Sequence, residues 1–277
     1  MERPDPVRRL VVNADDFGLS HSVNDAVIRA HREGILTTAS LMVNEMGFAE
    51  AVKLAKENAK LGVGLHLTLL AGHSALPPEK IPGLVDSRGE FGNNPFTGGM
   101  KYFFKRNLRE PLRAEIHAQF EKFYSTGLKL DHVNGHLHFH LHPTVFGILM
   151  ADAEPLGIRH LRLTRDCLAR SRRISRGHIF YKISHAAIFE FLSGRARKIL
   201  DAKHIRHAQI TFGLLQNAHV DEDYILKLLP ELPPGDSELY SHPSLDEFKH
   251  EFDALISPRV KEKIKSLGIE LIRYQDL

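Results

Sequence analysis

Short apolar runs rich in β-branched residues alternate with longer amphipathic stretches along most of the chain. Leu10-Val11-Val12-Asn13 is the first run and leads into Ala-Asp-Asp-Phe-Gly, the pattern of a buried strand passing into a loop. Ser20 predicts a helix N-cap, with Val23, Ala26, Val27 and Ala30 on one face and Gly34 as the stop. A second strand is expected over 38–43, a helix over 48–57 and a third strand over 62–69. On that third strand Gly62, Gly64 and His66 share one face. Beyond a Pro- and Gly-rich stretch, 71–96, that reads as a long loop, the alternation resumes. Helices are expected over 109–124, 143–153, 221–229, 245–255 and 259–267, and strands over 131–134, 158–163, 209–211, 238–241 and 269–273.

Strands alternating with helices predict βαβ units and a parallel sheet. Seven or eight such units without a Gly-x-Gly-x-x-Gly turn favour a single-domain, TIM-barrel-like (β/α) barrel, distorted if need be, over an open dinucleotide-binding sheet. Neither a linker nor an internal repeat divides residues 1–277, so one domain is expected.

Composition narrows the setting. With 43% hydrophobic residues the chain can bury a large core, yet it has no uninterrupted apolar run of the length, about 18 residues, that crosses a bilayer. Met1 to Arg9 is charged and Pro-containing and lacks the apolar stretch of a secretory signal. Cys167 is the single cysteine, so no internal disulfide can form, and a cytoplasmic location is expected. The net charge of +3 hides a basic segment: between Arg165 and Arg206, eleven Lys or Arg stand against Asp166, Glu190 and Asp201. Phe180, Ile183, Ala187 and Phe191 recur within it at helical spacing. A solvated basic helix with an ordinary core stripe, a homodimer interface, or peripheral contact with an anionic membrane would each suit this segment. Nucleic acid is not an expected partner, because no recognised binding module accompanies the basic residues.

Four features fall at the C-terminal ends of predicted strands: Asp15-Asp16, His66, a row of histidines at 136, 138, 140 and 142, and His242. In a parallel barrel those ends converge on one face, where loops build the active site. Taken singly, each has a plain structural reading: an Asp pair in a turn, a satisfied core histidine, a surface histidine. Together they suffice for amide hydrolysis. One carboxylate and two imidazoles can hold a divalent ion, zinc or magnesium, that acidifies water and polarises a carbonyl; a second carboxylate can act as base and a histidine as acid. An extended His136–His142 stretch would place the imidazoles on one side and Leu137, Phe139 and Leu141 on the other. Other metal-dependent amidohydrolase or phosphoesterase chemistry and a non-catalytic carbohydrate-binding site are the alternatives. Serine-hydrolase and P-loop motifs are absent from the sequence.

The stretches Val-Asn-Ala-Asp15-Asp16-Phe-Gly, Gly-Leu-His66-Leu and His-Val-Asn-Gly-His136-Leu-His-Phe-His resemble the YdjC-like carbohydrate deacetylases, from Arg9 to about His242. The resemblance implies a TIM-barrel-like fold and a divalent ion held by an Asp-His-His trio. Carried over by position, it implies Asp15 as base, Asp16, His66 and His136 as metal ligands, and His242 as acid. His138, His140 and Asn134 are then expected to face the substrate. Many members carry Asp at the position of Asn134. Leu76-Pro-Pro-Glu-Lys-Ile-Pro-Gly and Leu232-Pro-Pro-Gly are most similar to the hopanoid-associated HpnK subgroup, which implies a lipid-linked N-acetylglucosaminyl substrate.

Overall fold

Seven strands, all paired in parallel, carry the fold in a computed structural model that describes residues 7–175, 177–216 and 218–277. Met1 to Pro6 of the charged N-terminal segment, and Arg176 of the basic one, lie outside the described residues. The strands are β1 (Arg8–Phe17), β2 (Thr38–Leu41), β3 (Gly62–Leu67), β4 (Val133–Gly135), β5 (Ile210–Phe212), β6 (Gly235–Ser241) and β7 (Glu270–Ile272). They lie in the order β4-β3-β2-β1-β6-β5, while β7 pairs with the first residues of β1. Helices α1 (His21–Glu33), α2 (Phe48–Glu57), α4 (Arg109–Ser125), α5 (Pro143–Ala151), α8 (Glu222–Leu228), α9 (Lys249–Ile256) and α10 (Pro258–Ser266) match the expected ones in place. The Ser20 side chain caps α1 by accepting from Val23 N.

The expected strand over 158–163 is not formed as such. His160 and Leu161 make only isolated bridges, to Arg206 and Val133. Even so, Val133 N donates to His160 O, Leu161 N to Arg206 O, and Thr211 N to Arg165 O. This irregular stretch thereby links the β4 and β5 edges, an arrangement consistent with a distorted barrel rather than eight regular units.

Alternate residues of each strand go to two different layers. Leu10, Val12, Ala14, Ala39, Leu41, Val63 and Leu65 join the main apolar core with the helices. Burying one such leucine or valine contributes about 1.5–3 kcal/mol. The opposite faces carry Asn13, Thr38, Ser40, Asn134 and Glu238, and Arg162 of the irregular stretch joins them; all are fully buried.

The loop expected over 71–96 forms no helix until its last two residues, where α3 (Pro95–Phe104), for which no element was expected, begins under an Asn94 cap that accepts from Phe96 N and Thr97 N. Two further expectations are corrected. The histidine row is not extended: 136–141 forms a 3-10 segment in which Leu137 and His138 take left-handed φ of 52° and 57°. Finally, α6 (Leu168–Ile174) and α7 (Ile179–Ala202) form the basic region, but Phe180 and Phe191 are 87% and 74% exposed. The stripe is therefore no core stripe; α7 buries Lys182, Ser193, Ala196 and Leu200 instead. Among the described residues no helix is long and apolar enough to cross a membrane.

Candidate active site

Strand β1 breaks its register with β2 between Ala14 and Phe17, where the site begins. Asp16 has φ of 64°, a left-handed conformation that Asp tolerates better than most residues but that still costs free energy. The break separates the two carboxylates. Asp15 turns into the buried polar layer, whereas Asp16 meets two imidazoles at the strand ends.

Asp16 Oδ1 lies 3.1 Å from His66 Nε2 and 3.0 Å from His136 Nδ1. His66 is supplied by β3 and His136 by the residue directly after β4. Among the described residues this is the group of His, Cys, Asp or Glu whose donor atoms converge, all within 4.8 Å of one another. Donors about 2.0–2.1 Å from one tetrahedral zinc stand roughly 3.3 Å apart, so the spacing suits a small divalent cation. His66 supplies a second test of fit. Its Nδ1 is 2.7 Å from Asn134 Oδ1, an acceptor, so Nδ1 carries a proton. In the neutral ring that leaves the Nε2 lone pair facing a carboxylate oxygen, and a cation between them would relieve the repulsion. Burial would lower the His136 pKa, but Asp16 beside it raises the pKa above the ordinary value. Burial likewise opposes ionisation of Asp16, and the neighbouring His136 overrides it, holding that carboxyl well below the usual range.

Asp15 sits behind the trio. Arg162 Nη1 donates to its Oδ2 at 2.6 Å and Nη2 to its Oδ1 at 3.0 Å, while Asn13 and Asn134 donate to Oδ1 at 2.8 and 3.0 Å. Oδ2 is thus the oxygen with spare capacity to accept. Burial would push the Asp15 carboxyl up, yet Arg162, with His66, holds it far below the usual carboxylate range. On its other side Arg162 donates from Nε and Nη2 to Glu238 Oε1 at 2.9 and 2.7 Å, and its guanidinium lies 4.5 Å from the centre of the Tyr240 ring. Glu238 also accepts from the Tyr274 hydroxyl.

Asp15 and Asp16 line a cavity of about 290 Å³ together with His242, Leu19, Val23 and Phe248. That volume lies at the lower edge of small-molecule sites. Surface hollows of about 600 Å³ occur elsewhere, and none of the trio lines them. His242 follows β6; its backbone N–H donates to the buried Glu251, whose carboxylate lies 3.9 Å from ring Nδ1, beyond hydrogen-bond reach.

The remaining expected contacts are placed differently. Asn134 and His140 are both fully buried, so neither faces a substrate. His140 Nε2 bonds the Arg162 carbonyl at 3.0 Å, and Asn134 joins His66 to Asp15. His138, partly buried, lies 2.9 Å from the Tyr240 hydroxyl. Arg162 and Glu238 were missed by sequence reading. Arg162 falls within the strand expected over 158–163, where nothing in the local sequence marks it as buried.

The chain is similar to several known proteins. A carbohydrate deacetylase of Brevibacillus brevis is 42% identical over 146 residues, 53% of this chain and 56% of that protein. A chitooligosaccharide deacetylase of Proteus mirabilis is 37% identical over 160 residues, 56% of this chain and 59% of that protein. The matched stretch therefore spans somewhat over half the length of these relatives. A crystal structure from Enterococcus faecalis V583, of a candidate cellobiose-phosphate cleavage protein, superposes with a TM-score of 0.73 at 24% identity, covering 98% of each chain, and shows the same fold. The family described as YdjC-like protein matches residues 9–266, and the chain belongs to it.

Proposed function

We propose that this protein is a divalent-cation-dependent hydrolase that removes the N-acetyl group of an amino sugar. The convergence of Asp16, His66 and His136 on one point beside Asp15 and His242 carries this reading. A cation held by that trio, zinc or magnesium, would supply an acidified water and a polarised acetamide carbonyl. Asp15 Oδ2 then accepts the proton of the attacking water, and Arg162 keeps that carboxylate ionised and aimed. His242, which lines the same cavity as Asp15 and Asp16, donates to the departing amine. The printed activities of the relatives, carbohydrate and chitooligosaccharide deacetylation, support an N-acetylated sugar as substrate. A short chitooligosaccharide or a lipid-linked N-acetylglucosaminyl group fits the class. A phosphoesterase reading is weaker, because two-metal phosphoesterases need further bridging carboxylates beside the trio.

The test is acetate release from diacetylchitobiose and from N-acetylglucosaminyl hopanoid, after chelation and after zinc or magnesium is restored. Release should stop on chelation and return with the ion. Asp15→Asn should lower kcat by about 10²–10⁴-fold, the range for loss of a general base. His136→Ala should abolish both cation uptake and turnover. Undiminished turnover in either variant, or in the chelated protein, would overturn the proposal.

A further inference from the structure

Behind the site lies a second group of buried polar residues that none of the steps above uses. We infer that Asp131, His132 and Ser40 form a positioning relay that sets the direction of the Asn134 amide and, through it, the ligating face of His66. The inference rests on the proposed cation site and deepens it.

The chain of bonds has a single consistent polarity. His132 Nδ1 lies 3.0 Å from Asp131 Oδ2, an acceptor, so Nδ1 carries the proton and donates. His132 Nε2 is then the acceptor for the Ser40 hydroxyl at 2.9 Å. Asn13 Oδ1 is a second, longer acceptor for that hydroxyl at 3.4 Å; with the proton in the shorter bond to His132, the Ser40 oxygen accepts from Nδ2 of Asn134 at 2.8 Å and Nδ2 of Asn13 at 3.0 Å. The Asn134 amide is therefore fixed with its oxygen toward His66 Nδ1, 2.7 Å away, and the His66 Nε2 lone pair is left toward Asp16. Each Asn gives its second amide proton to Asp15 Oδ1. Partners of this kind fix the tautomer and orientation of a ligating histidine.

The fold reserves space for the relay. A Cβ on Gly64 would stand 2.5 Å from His132 Cε1 and 2.5 Å from the His132 carbonyl, and one on Gly62 would stand 2.8 Å from Asp131 Cγ. Those two glycines share with His66 the face of β3 that turns to the polar layer. The other side of the His132 ring is stacked on Tyr274, with centroids 4.3 Å apart. The Ser-His-Asp order is that of a hydrolase triad, but Ser40 is fully buried and bonded to two amides, so it is held as a connector rather than presented to a substrate.

The experiment measures zinc affinity by chelator competition in Ser40→Ala, in His132→Phe, which keeps a ring on Tyr274, and in the double variant. Melting of the cation-free proteins is followed alongside. Ser40→Ala should weaken zinc binding about 10- to 100-fold, the usual effect of losing an outer partner of a ligand. Because the two residues act through one chain of bonds, the double variant should bind zinc no worse than the weaker single variant. Binding by Ser40→Ala within twofold of the parent, or losses that add in the double variant, would overturn the relay. Should His132→Phe fail to fold, Ser40→Ala alone still decides on affinity. A parent protein that binds zinc yet releases no acetate would sink the deacetylase reading and leave the relay standing; one that binds no divalent cation would sink both.

Discussion

The two faces of the same strands are built on opposite principles. Facing the helices, Leu10, Val12, Ala39, Leu41 and Leu65 make an apolar layer in which each side chain packs against many others. Facing inward, Asn13, Thr38, Ser40, Asn134, Arg162 and Glu238 form one hydrogen-bonded network. Aliphatic packing tolerates swaps that conserve volume, because one apolar side chain replaces another without leaving a polar group unpaired. A buried polar network does not, because each partner removed leaves another group with its desolvation uncompensated. Many α/β barrels fill this space with Val, Ile and Leu; here it holds the scaffold of the site.

The sharpest way to break the comparison is at Arg162, where one guanidinium balances Asp15 and Glu238. Arg162→Met should destabilise the protein by about 3–5 kcal/mol at neutral pH, the range for leaving buried charge unpaired, and should abolish turnover. The pH dependence carries a sign. In the parent the Asp15 carboxyl is depressed, so the stability it contributes is present above the ordinary carboxylate pKa near 4 and is lost as pH falls below it. In Arg162→Met burial acts without its counterweight and the carboxyl shifts upward, so protonation relieves the strain. Denaturant titrations of the cation-free proteins should show the deficit narrowing as pH falls from 7 toward 4. A deficit that is constant or widens over that range would mean that the inner network is not held together by charge.

An outer-face deletion should be comparable in stability and silent in chemistry. Leu65 is fully buried on β3, next in sequence to His66, yet it faces the helices. Leu65→Ala should cost about 2–5 kcal/mol by the loss of buried methyl groups and the cavity left behind. The kcat and the zinc affinity of the folded protein should stay within about threefold of the parent. If both fall as they do in Ser40→Ala, the two faces are mechanically coupled and the distinction between them fails.

The same contrast explains what could be read from the sequence. Outer-face residues announce themselves by short apolar runs or by alternation, so the strands that carry Asp15 and His66 and the one that leads to His242 are legible from the sequence. The convergence of strand ends gathers Asp15-Asp16, His66, the histidine row and His242 on one face, and only the family resemblance singles out Asp16, His66 and His136 among them. Arg162 was illegible because a charged residue in an alternating run normally points to water; its burial follows only from Asp15 and Glu238, 147 and 76 residues away. The histidine row misled for a different reason. Its period of two fits an extended chain, but the left-handed turn at Leu137 and His138 lets His140 reach the Arg162 carbonyl and leaves Leu137 exposed. Helix α3 was hidden by Gly98 and Gly99, which weaken the helical signal without preventing a helix that is capped by Asn94 and started by Pro95.

The smallest effect isolates what burial adds. Lys249 Nζ stands 2.7 Å from Asp253 on α9, nearly the 2.6 Å that separates Arg162 from Asp15. Judged by distance, the two ion pairs are equals. The Lys249 and Asp253 side chains, however, are 59% and 51% exposed, against 0% and 2% for the inner pair. Water and salt screen the outer attraction, and holding a lysine side chain in one rotamer offsets much of what remains, so exposed i,i+4 pairs are worth about 0.3–0.5 kcal/mol. Lys249→Ala should therefore shift stability by no more than about 0.5 kcal/mol in a denaturant titration, with turnover unchanged, and the shift should shrink further in 1 M salt. A loss approaching that of Arg162→Met would show that proximity of opposite charges, rather than their removal from water, governs both pairs.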